Sequence, residues 1–294
     1  MSEARVRRVG VLGTGLVDPA APLLVADDLG LVRGDGVFET VRVRAGVPVV
    51  LRRHLQRLAV SAERLGLPAP DVAAWLSLTD DLLESLDGPL ADDAALRLLL
   101  TRGPESGGPP TGLALLSPVA PHLADQRRDG VRVLTRGLGV GAGGRAGAPW
   151  LLGGVKSLSY AMNMAVLRDV AEHGADDALL VSSDGEALEG PTSTLVVCDG
   201  DELLTPPPEE VGTLPGTTAA ALEGLAAARG LRVVERRLPL EQVRAAQGAA
   251  LVSSVRGVAP VVALDARVLE VPDALRRLRD DFEDACARGR LDDR

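Results

Sequence analysis

Lysine is almost missing from this chain of 294 residues: of its 32 basic residues, 31 are arginine and one, Lys156, is lysine. A GC-rich coding sequence accounts for the loss of lysines but not for the survival of one. Arginine can replace lysine in most solvated ion pairs, yet it neither condenses with a carbonyl nor takes a proton near neutral pH. Lys156 is therefore a candidate for one of those two tasks, with chance survival as the alternative. Aromatic residues are nearly as scarce, at five (Phe38, Trp75, Trp150, Tyr160 and Phe282), and the net charge is −9. Nucleic-acid binding, which relies on basic patches and stacking platforms, is argued against on both counts. The two cysteines, Cys198 and Cys286, are too few for a disulfide scaffold and suit a reducing cytoplasm. No apolar run approaches the roughly 20 residues of a membrane span, so no transmembrane helix is expected. The opening stretch, MSEARVRRVGVLGTGLVD, carries basic residues, but its apolar part is short and broken by glycine; it reads as a first strand rather than a signal peptide.

What is present suits a folded globular protein of about two domains, 46% apolar and 25% charged with a mean hydropathy of +0.14. Apolar or alternating stretches predict strands over 6–12, 37–43, 47–51, 94–101, 113–117 and 131–135. Helices are predicted over 51–66, where Leu51, Leu55, Leu58, Ala62 and Leu65 share one face ahead of Gly66, and over 71–86. The segment GPESGGPPTG (103–112) reads as a loop. The most glycine-rich stretch, 138–149, is taken as a linker between an N-terminal α/β domain (1–137) and a C-terminal α/β domain (150–294). In the second half, helices are predicted over 159–173, 217–229 and from 273. Strands are predicted over 178–182, 194–198, 231–235 and 249–253 and near Val261, with a turn at Asp184-Gly185.

Several familiar signatures fail on inspection. Gly139-x-Gly141-x-x-Gly144 has dinucleotide-binding spacing, but Gly147 and Pro149 stand where the required helix should begin. Val155 and Trp150 occupy the two glycine positions that a phosphate-binding loop ending at Lys156 would need. His54, His122 and His173 are scattered, with no HExxH or CxxC, so no metal site is expected. No GxSxG elbow is found.

Four other segments fit one chemistry together. GGVKSLSYAMN (153–163) sets the lysine just before a predicted helix, with the one tyrosine, Tyr160, four residues on. An amine at the positive end of a helix in an apolar site loses protonated character and becomes a nucleophile and base; a capping lysine and a core tyrosine fit the same pattern. LEGPTST (188–194) places Glu189 33 positions after the lysine, where it could hold a proton on a heterocyclic nitrogen or simply close a turn. LPGTT (214–218) opens a helix with a glycine and two threonines, which suits a phosphate or an ordinary cap. LVSSVRGV (251–258) presents hydroxyls and an arginine at a strand end. Lysine, carboxylate, phosphate cup and tyrosine are the parts a pyridoxal phosphate enzyme needs.

With these motifs, the chain resembles the fold-type-IV pyridoxal phosphate enzymes, the class-IV aminotransferase family. That family includes branched-chain and D-amino acid aminotransferases and 4-amino-4-deoxychorismate lyases. The similarity runs from Ala26 to about Val262 and includes RGDGVFET (33–40), Gly46-Val47-Pro48 and the helix His54-Leu55-x-Arg57-Leu58-x-x-Ser61-Ala62. The resemblance implies an α/β chain of two α+β-type domains and a homodimer with pyridoxal 5'-phosphate as cofactor. It implies that Lys156 is the Schiff-base lysine and proton shuttle, and that Glu189 pairs with the pyridine nitrogen. Arg57, Thr217, Thr218 and Ser254 would hold the phosphate, and Tyr160 would lie beside the ring hydroxyl. Tyr160 follows Ser159 where many relatives have asparagine. Arg97, Arg33 and Arg256 become candidates for substrate carboxylates, with structural ion pairs the other explanation for the last two. Within the family, RGDGVFET, KSLSYAMNMAVLR and LEGPTSTLVV look most like aminodeoxychorismate lyases, which release 4-aminobenzoate and pyruvate. An aminotransferase for D-amino or branched-chain amino acids is the alternative.

Overall fold

The structure, a computed structural model, describes residues 8–86 and 93–291, and the chain divides into two compact units. The first takes the described residues up to Ala120 together with Val155–Tyr160 and 289–291. Its elements are β1 (Arg8–Val11), β2 (Gly15–Val17), α1 (Leu29–Arg33), β3 (Gly36–Arg44), β4 (Val47–Pro48), α2 (Leu51–Arg64), α3 (Val72–Glu84), β5 (Ala94–Thr101) and β6 (Gly112–Pro118). The six strands form one antiparallel sheet in the order β2-β1-β6-β5-β3-β4. Alternation along β3 turns Val37, Val41 and Val43 into a core shared with Leu55, Leu58 and Ala62 of α2 and Trp75, Leu78 and Leu82 of α3. Glu39 lies on that same inward alternation and is fully buried. The helix expected over 51–66 is α2, and Gly66, at φ 65°, supplies the left-handed residue just past its end.

Local chemistry explains where this unit departs from the sequence pattern. The strand expected over 47–51 stops at Pro48, and Val50 adopts a left-handed conformation (φ 46°) that turns the chain directly into α2. Helix α1 was not anticipated. It has five residues and none of them is buried, so it carries no apolar period; Asp28 caps it through Gly30 N–H at 2.8 Å. Of the strand expected over 6–12, residues 6 and 7 lie outside the described residues.

The second unit comprises Pro121–Gly154 and Ala161–Arg288. It contains α4 (His122–Asp129), β7 (Val131–Gly137), α5 (Ala161–Glu172), β8 (Asp177–Val181), β9 (Glu186–Ala187), β10 (Glu189–Gly190), β11 (Ser193–Asp199) and β12 (Glu202–Thr205). There follow α6 (Pro208–Val211), α7 (Thr217–Ala227), β13 (Arg232–Glu235), β14 (Leu238–Pro239), α8 (Leu240–Ala245), β15 (Gly248–Ser253), β16 (Gly257–Leu264), β17 (Arg267–Val268) and α9 (Asp273–Ala287). The sheet is mixed, in the order β13-β12-β11-β15-β16-β7-β8-β9-β14, with β7 parallel to both β8 and β16. Its core joins Val131, Val133, Leu179, Leu195, Leu251 and Val261. The predicted strands and helices of this half are all found within a few residues. The unanticipated ones are mostly two to six residues long, too short to show a period.

The domain boundary needs correction. The stretch 138–149 is not a linker but part of the second unit. Leu138 N–H donates to Val181 O, Ser183 N–H to Val140 O, and Ala142 N–H to Asp184 Oδ1 at 2.9 Å, and Ala142 is buried. Of its glycines, Gly144 is the tightly placed one, where a Cβ would stand 3.0 Å from Gly141 O. Val155–Tyr160, expected in the C-terminal domain, belongs to the first unit because it pairs with β3.

Candidate active site

In the first unit, the lysine is held by backbone pairing. Phe38 N–H donates to Lys156 O at 3.0 Å, Leu158 N–H donates to Gly36 O at 2.8 Å, and Val37 bridges Ser157. Lys156 thus lies on an extended segment laid along β3, five residues ahead of the first residue of α5. Its own N–H donates to Ser61 Oγ of α2 at 3.2 Å. The RGDG motif makes room for this segment: a Cβ on Gly36 would stand 2.6 Å from Leu100 O and from Leu158 Cδ1. Gly34, at φ 67°, would put one 2.7 Å from Ser159 Oγ.

The lysine's Nζ sits 4.5 Å from the centroid of the Phe38 ring and 5.5 Å from that of Tyr160; the two rings meet edge to face at 5.1 Å. Two of the chain's few aromatic residues therefore flank its one lysine. An aromatic environment supplies an apolar wall and a negative ring face to a cationic amine.

Behind this pair lies a buried ionic cluster that the sequence did not reveal. Glu39 accepts from Arg57 Nε at 2.7 Å, from Arg57 Nη2 at 2.8 Å and from His54 Nδ1 at 2.6 Å, and both Glu39 and His54 are fully buried. Burial pushes the Glu39 carboxyl up, but the Arg57 guanidinium and the His54 contact outweigh it and hold it well below the usual range. Burial drives His54 down, so the imidazole is neutral and donates its Nδ1 proton. Arg57, expected to contact phosphate, thus has one edge of its guanidinium committed to Glu39. The available signal was an acid on the apolar side of β3 and a histidine on the apolar stripe of α2. Arg97 is exposed on β5 and donates to Ser117 Oγ at 3.0 Å. Arg33 is exposed and pairs with Glu105.

The second unit carries the other sequence-predicted residues. Glu189 is in β10, paired with Thr194 of β11, rather than in a turn. Its Oε2 accepts from Leu214 N–H at 3.1 Å, and its Oε1 from Arg145 Nη1 at 3.2 Å. Thr217 and Thr218 are the buried first residues of α7, whose N-cap, Gly216, offers no side-chain cap. That leaves a helix start where backbone amides and two hydroxyls can meet an anion. Gly216 is required there, since a Cβ would stand 2.4 Å from Thr194 Oγ1. Ser254 follows the end of β15. Asn163 donates to Pro191 O at 2.6 Å, tying the start of α5 to the loop after Glu189. Arg256, considered above as a substrate ligand, is instead buried against Asp177 at 2.5 Å. A buried arginine committed to an aspartate is structural, and it leaves the list of substrate candidates.

An aldehyde-reactive amine, a carboxylate able to receive a ring N–H, and an uncapped helix start with hydroxyls match the three functional ends of pyridoxal phosphate. The donor set of the chain fits that group. Among the described residues no cluster of histidine, cysteine, aspartate or glutamate is placed to hold a metal, and no helix is long and apolar enough to cross a membrane.

Comparison with known proteins agrees with this chemistry. Residues 36–264 match the model of the amino-transferase class IV family. The chain is 45% identical over 261 residues to a bifunctional aminodeoxychorismate lyase / D-amino acid transaminase of Mycobacterium tuberculosis, covering 86% of this chain and 90% of that protein. Among solved structures, it is similar to a hypothetical aminotransferase of M. tuberculosis in its PLP-bound form (TM-score 0.88, 42% identity, 95% of this chain and 98% of that one). It is also similar to a fold-IV transaminase of Curtobacterium pusillum (TM-score 0.87, 39% identity, 95% and 97%). The fold-type-IV architecture expected from the sequence is thereby borne out.

Proposed function

This chain belongs to the class IV amino-transferase family, and from that premise we propose that it is a pyridoxal phosphate-dependent lyase that converts 4-amino-4-deoxychorismate to 4-aminobenzoate and pyruvate. The observation that carries this reading is the 45% identity, over nearly the whole of both chains, to the bifunctional lyase and transaminase. The same relative favours a second reading, transamination of D-amino acids with a 2-oxo acid acceptor, by the same residues.

When bound, the cofactor supplies an aldehyde that takes up amines and an electron-poor ring that spreads the charge left by proton removal. Lys156 Nζ would hold the cofactor's aldehyde carbon, and as a free amine it would serve as the base for the substrate's proton. Phe38 and Tyr160 wall this amine. Glu189 would accept a hydrogen bond from the ring nitrogen. Thr217, Thr218, Ser254 and Arg57 would hold the phosphate. Arg97 and Arg33 are the remaining candidates for the substrate's two carboxylates, and Arg97→Ala should raise KM more than it lowers kcat.

The reading includes a homodimer in a reducing cytoplasm. It is supported by apolar side chains left exposed on the second unit, with Trp150 79%, Met162 48% and Met164 42% accessible, and by two buried free cysteines. Sedimentation of the purified protein tests the dimer. The activity is tested by supplying chorismate, glutamine and an aminodeoxychorismate synthase and following 4-aminobenzoate. Release without any amino acceptor supports the lyase. No release, with exchange between a D-amino acid and a 2-oxo acid, would replace it with the second reading.

A further inference from the structure

One arginine bears on two of the contacts that the fold makes to the Glu189 carboxylate. Arg145 places Nη1 3.2 Å from Oε1, while Leu214 N–H reaches Oε2 at 3.1 Å. Arg145 also shapes the turn that presents Leu214. Gly212, two residues earlier, has φ 65°, and a Cβ there would lie 2.7 Å from the Cβ of Arg145; one on Gly153 would lie 2.9 Å from it. The arginine's backbone is therefore wedged between two glycines, with its guanidinium on one carboxylate oxygen and the 212–214 turn on the other. The two side chains are 18% and 14% exposed, so the charge pair is only weakly screened by solvent.

We propose that Arg145 is a positioning residue: it keeps Glu189 ionised, and aimed, as the acceptor for the ring nitrogen of the cofactor. The inference rests on the role given to Glu189 above. A carboxylate is acceptor-only while ionised and gains a proton to donate when neutral, so the charge beside it decides what it can hold. The other charged or titratable groups on neighbouring elements are differently placed. On β8, Asp177 is taken by Arg256. On β11, Cys198 and Asp199 lie four and five residues beyond Thr194, the partner of Glu189. On α6, Glu209 and Glu210 are exposed.

The test is the affinity of the apo protein for pyridoxal phosphate, measured by fluorescence or absorbance titration across about pH 5 to 8, a span covering the usual carboxylate and histidine ranges. An opposite charge at this distance shifts a carboxyl by roughly one to three pH units. Arg145→Met should therefore move the acid limb of the affinity profile up by at least about one unit, which is about tenfold weaker binding on that limb. Arg145→Lys, which keeps a cation, should recover most of the loss. In combination with Glu189→Gln, the Arg145→Met substitution should produce no further shift.

An Arg145→Met profile equal to that of the wild type overturns the inference, as does a shift of the same size with and without Glu189→Gln. Should Glu189→Gln alone leave the affinity and its profile unchanged, the role of Glu189 in the proposed function fails instead. Circular dichroism of each apo variant verifies folding; Arg145→Gln, uncharged but able to hydrogen-bond, replaces the methionine variant if that one does not fold.

Discussion

Each unit contains a glutamate held by an arginine, and the two pairs are built for opposite ends. Glu39 is fully buried, receives a two-pronged contact from Arg57 plus one from His54, and sits among the valines of β3. Glu189 is 14% exposed, at a longer 3.2 Å from Arg145, with a backbone amide on its other oxygen. A dry carboxylate with close charged donors on both oxygens is locked, because losing any donor leaves a charge in a low-dielectric interior. A carboxylate that keeps some exposure and takes a longer contact from its arginine is less tightly bound to its surroundings than one that is fully buried. Position within the unit, more than residue type, separates the two acids: one is sealed in the core and the other keeps some exposure.

The sharpest probe of that contrast leaves both carboxylates alone. Lys156→Arg preserves charge but removes the amine chemistry, since a guanidinium with a pKa above about 12 neither condenses with an aldehyde nor takes a proton. Lyase and transaminase activity should fall to background while the thermal midpoint changes little. Borohydride treatment of the wild type with cofactor should label the peptide containing Lys156; a label elsewhere, the α-amino terminus aside, would contradict its role.

Glu189→Gln comes next. It should leave the fold intact and cut turnover by about two to four orders of magnitude, the usual range for an electrostatic or acid–base contribution. Wild-type turnover in this variant would show that another group serves the nitrogen.

For Glu39→Gln the expectation is reversed. Arg57, 12% exposed, would lose its carboxylate partner in a largely buried setting, at a cost of about 3–5 kcal/mol measured by denaturant unfolding. If Glu39→Gln proved as stable as the wild type while Glu189→Gln unfolded, the distinction between the two acids would be refuted.

The smallest effect is the pH dependence of the buried cluster. Both Glu39 and His54 have folded values below their ordinary 4.5 and 6.5. In each case the unfolded chain binds protons more readily than the folded one as pH falls. Stability is thus full above about 6.5, declines first through His54, and declines further through Glu39 below 4.5. His54→Asn should flatten the upper part of this decline in a series of thermal melts and shrink, without abolishing, the lower part, since Arg57 still holds the Glu39 carboxyl down.

The sequence by itself determined the elements with a long enough period to read. The apolar stripe of α2, the alternation of β3 and β5, the central strands of the second sheet and the terminal helix all lie where patterning put them. It also singled out Lys156, because a residue type kept once against a strong arginine bias stands out without any structure. Glu189, Thr217, Thr218 and Ser254 stood out through motif spacing. Only the tertiary structure placed 155–160 in the first unit, since β3 pairing joins residues more than 100 positions apart. It alone turned the glycine-rich stretch 138–149 from an expected linker into a packed segment that brings Arg145 to Glu189, 44 positions away. It alone moved Arg256 from substrate candidate to buried partner of Asp177, and joined Glu39 to His54 and Arg57. Periodicity reports which face of an element is apolar. Which charge meets which is decided by packing between elements distant in the chain, and no local pattern encodes that pairing.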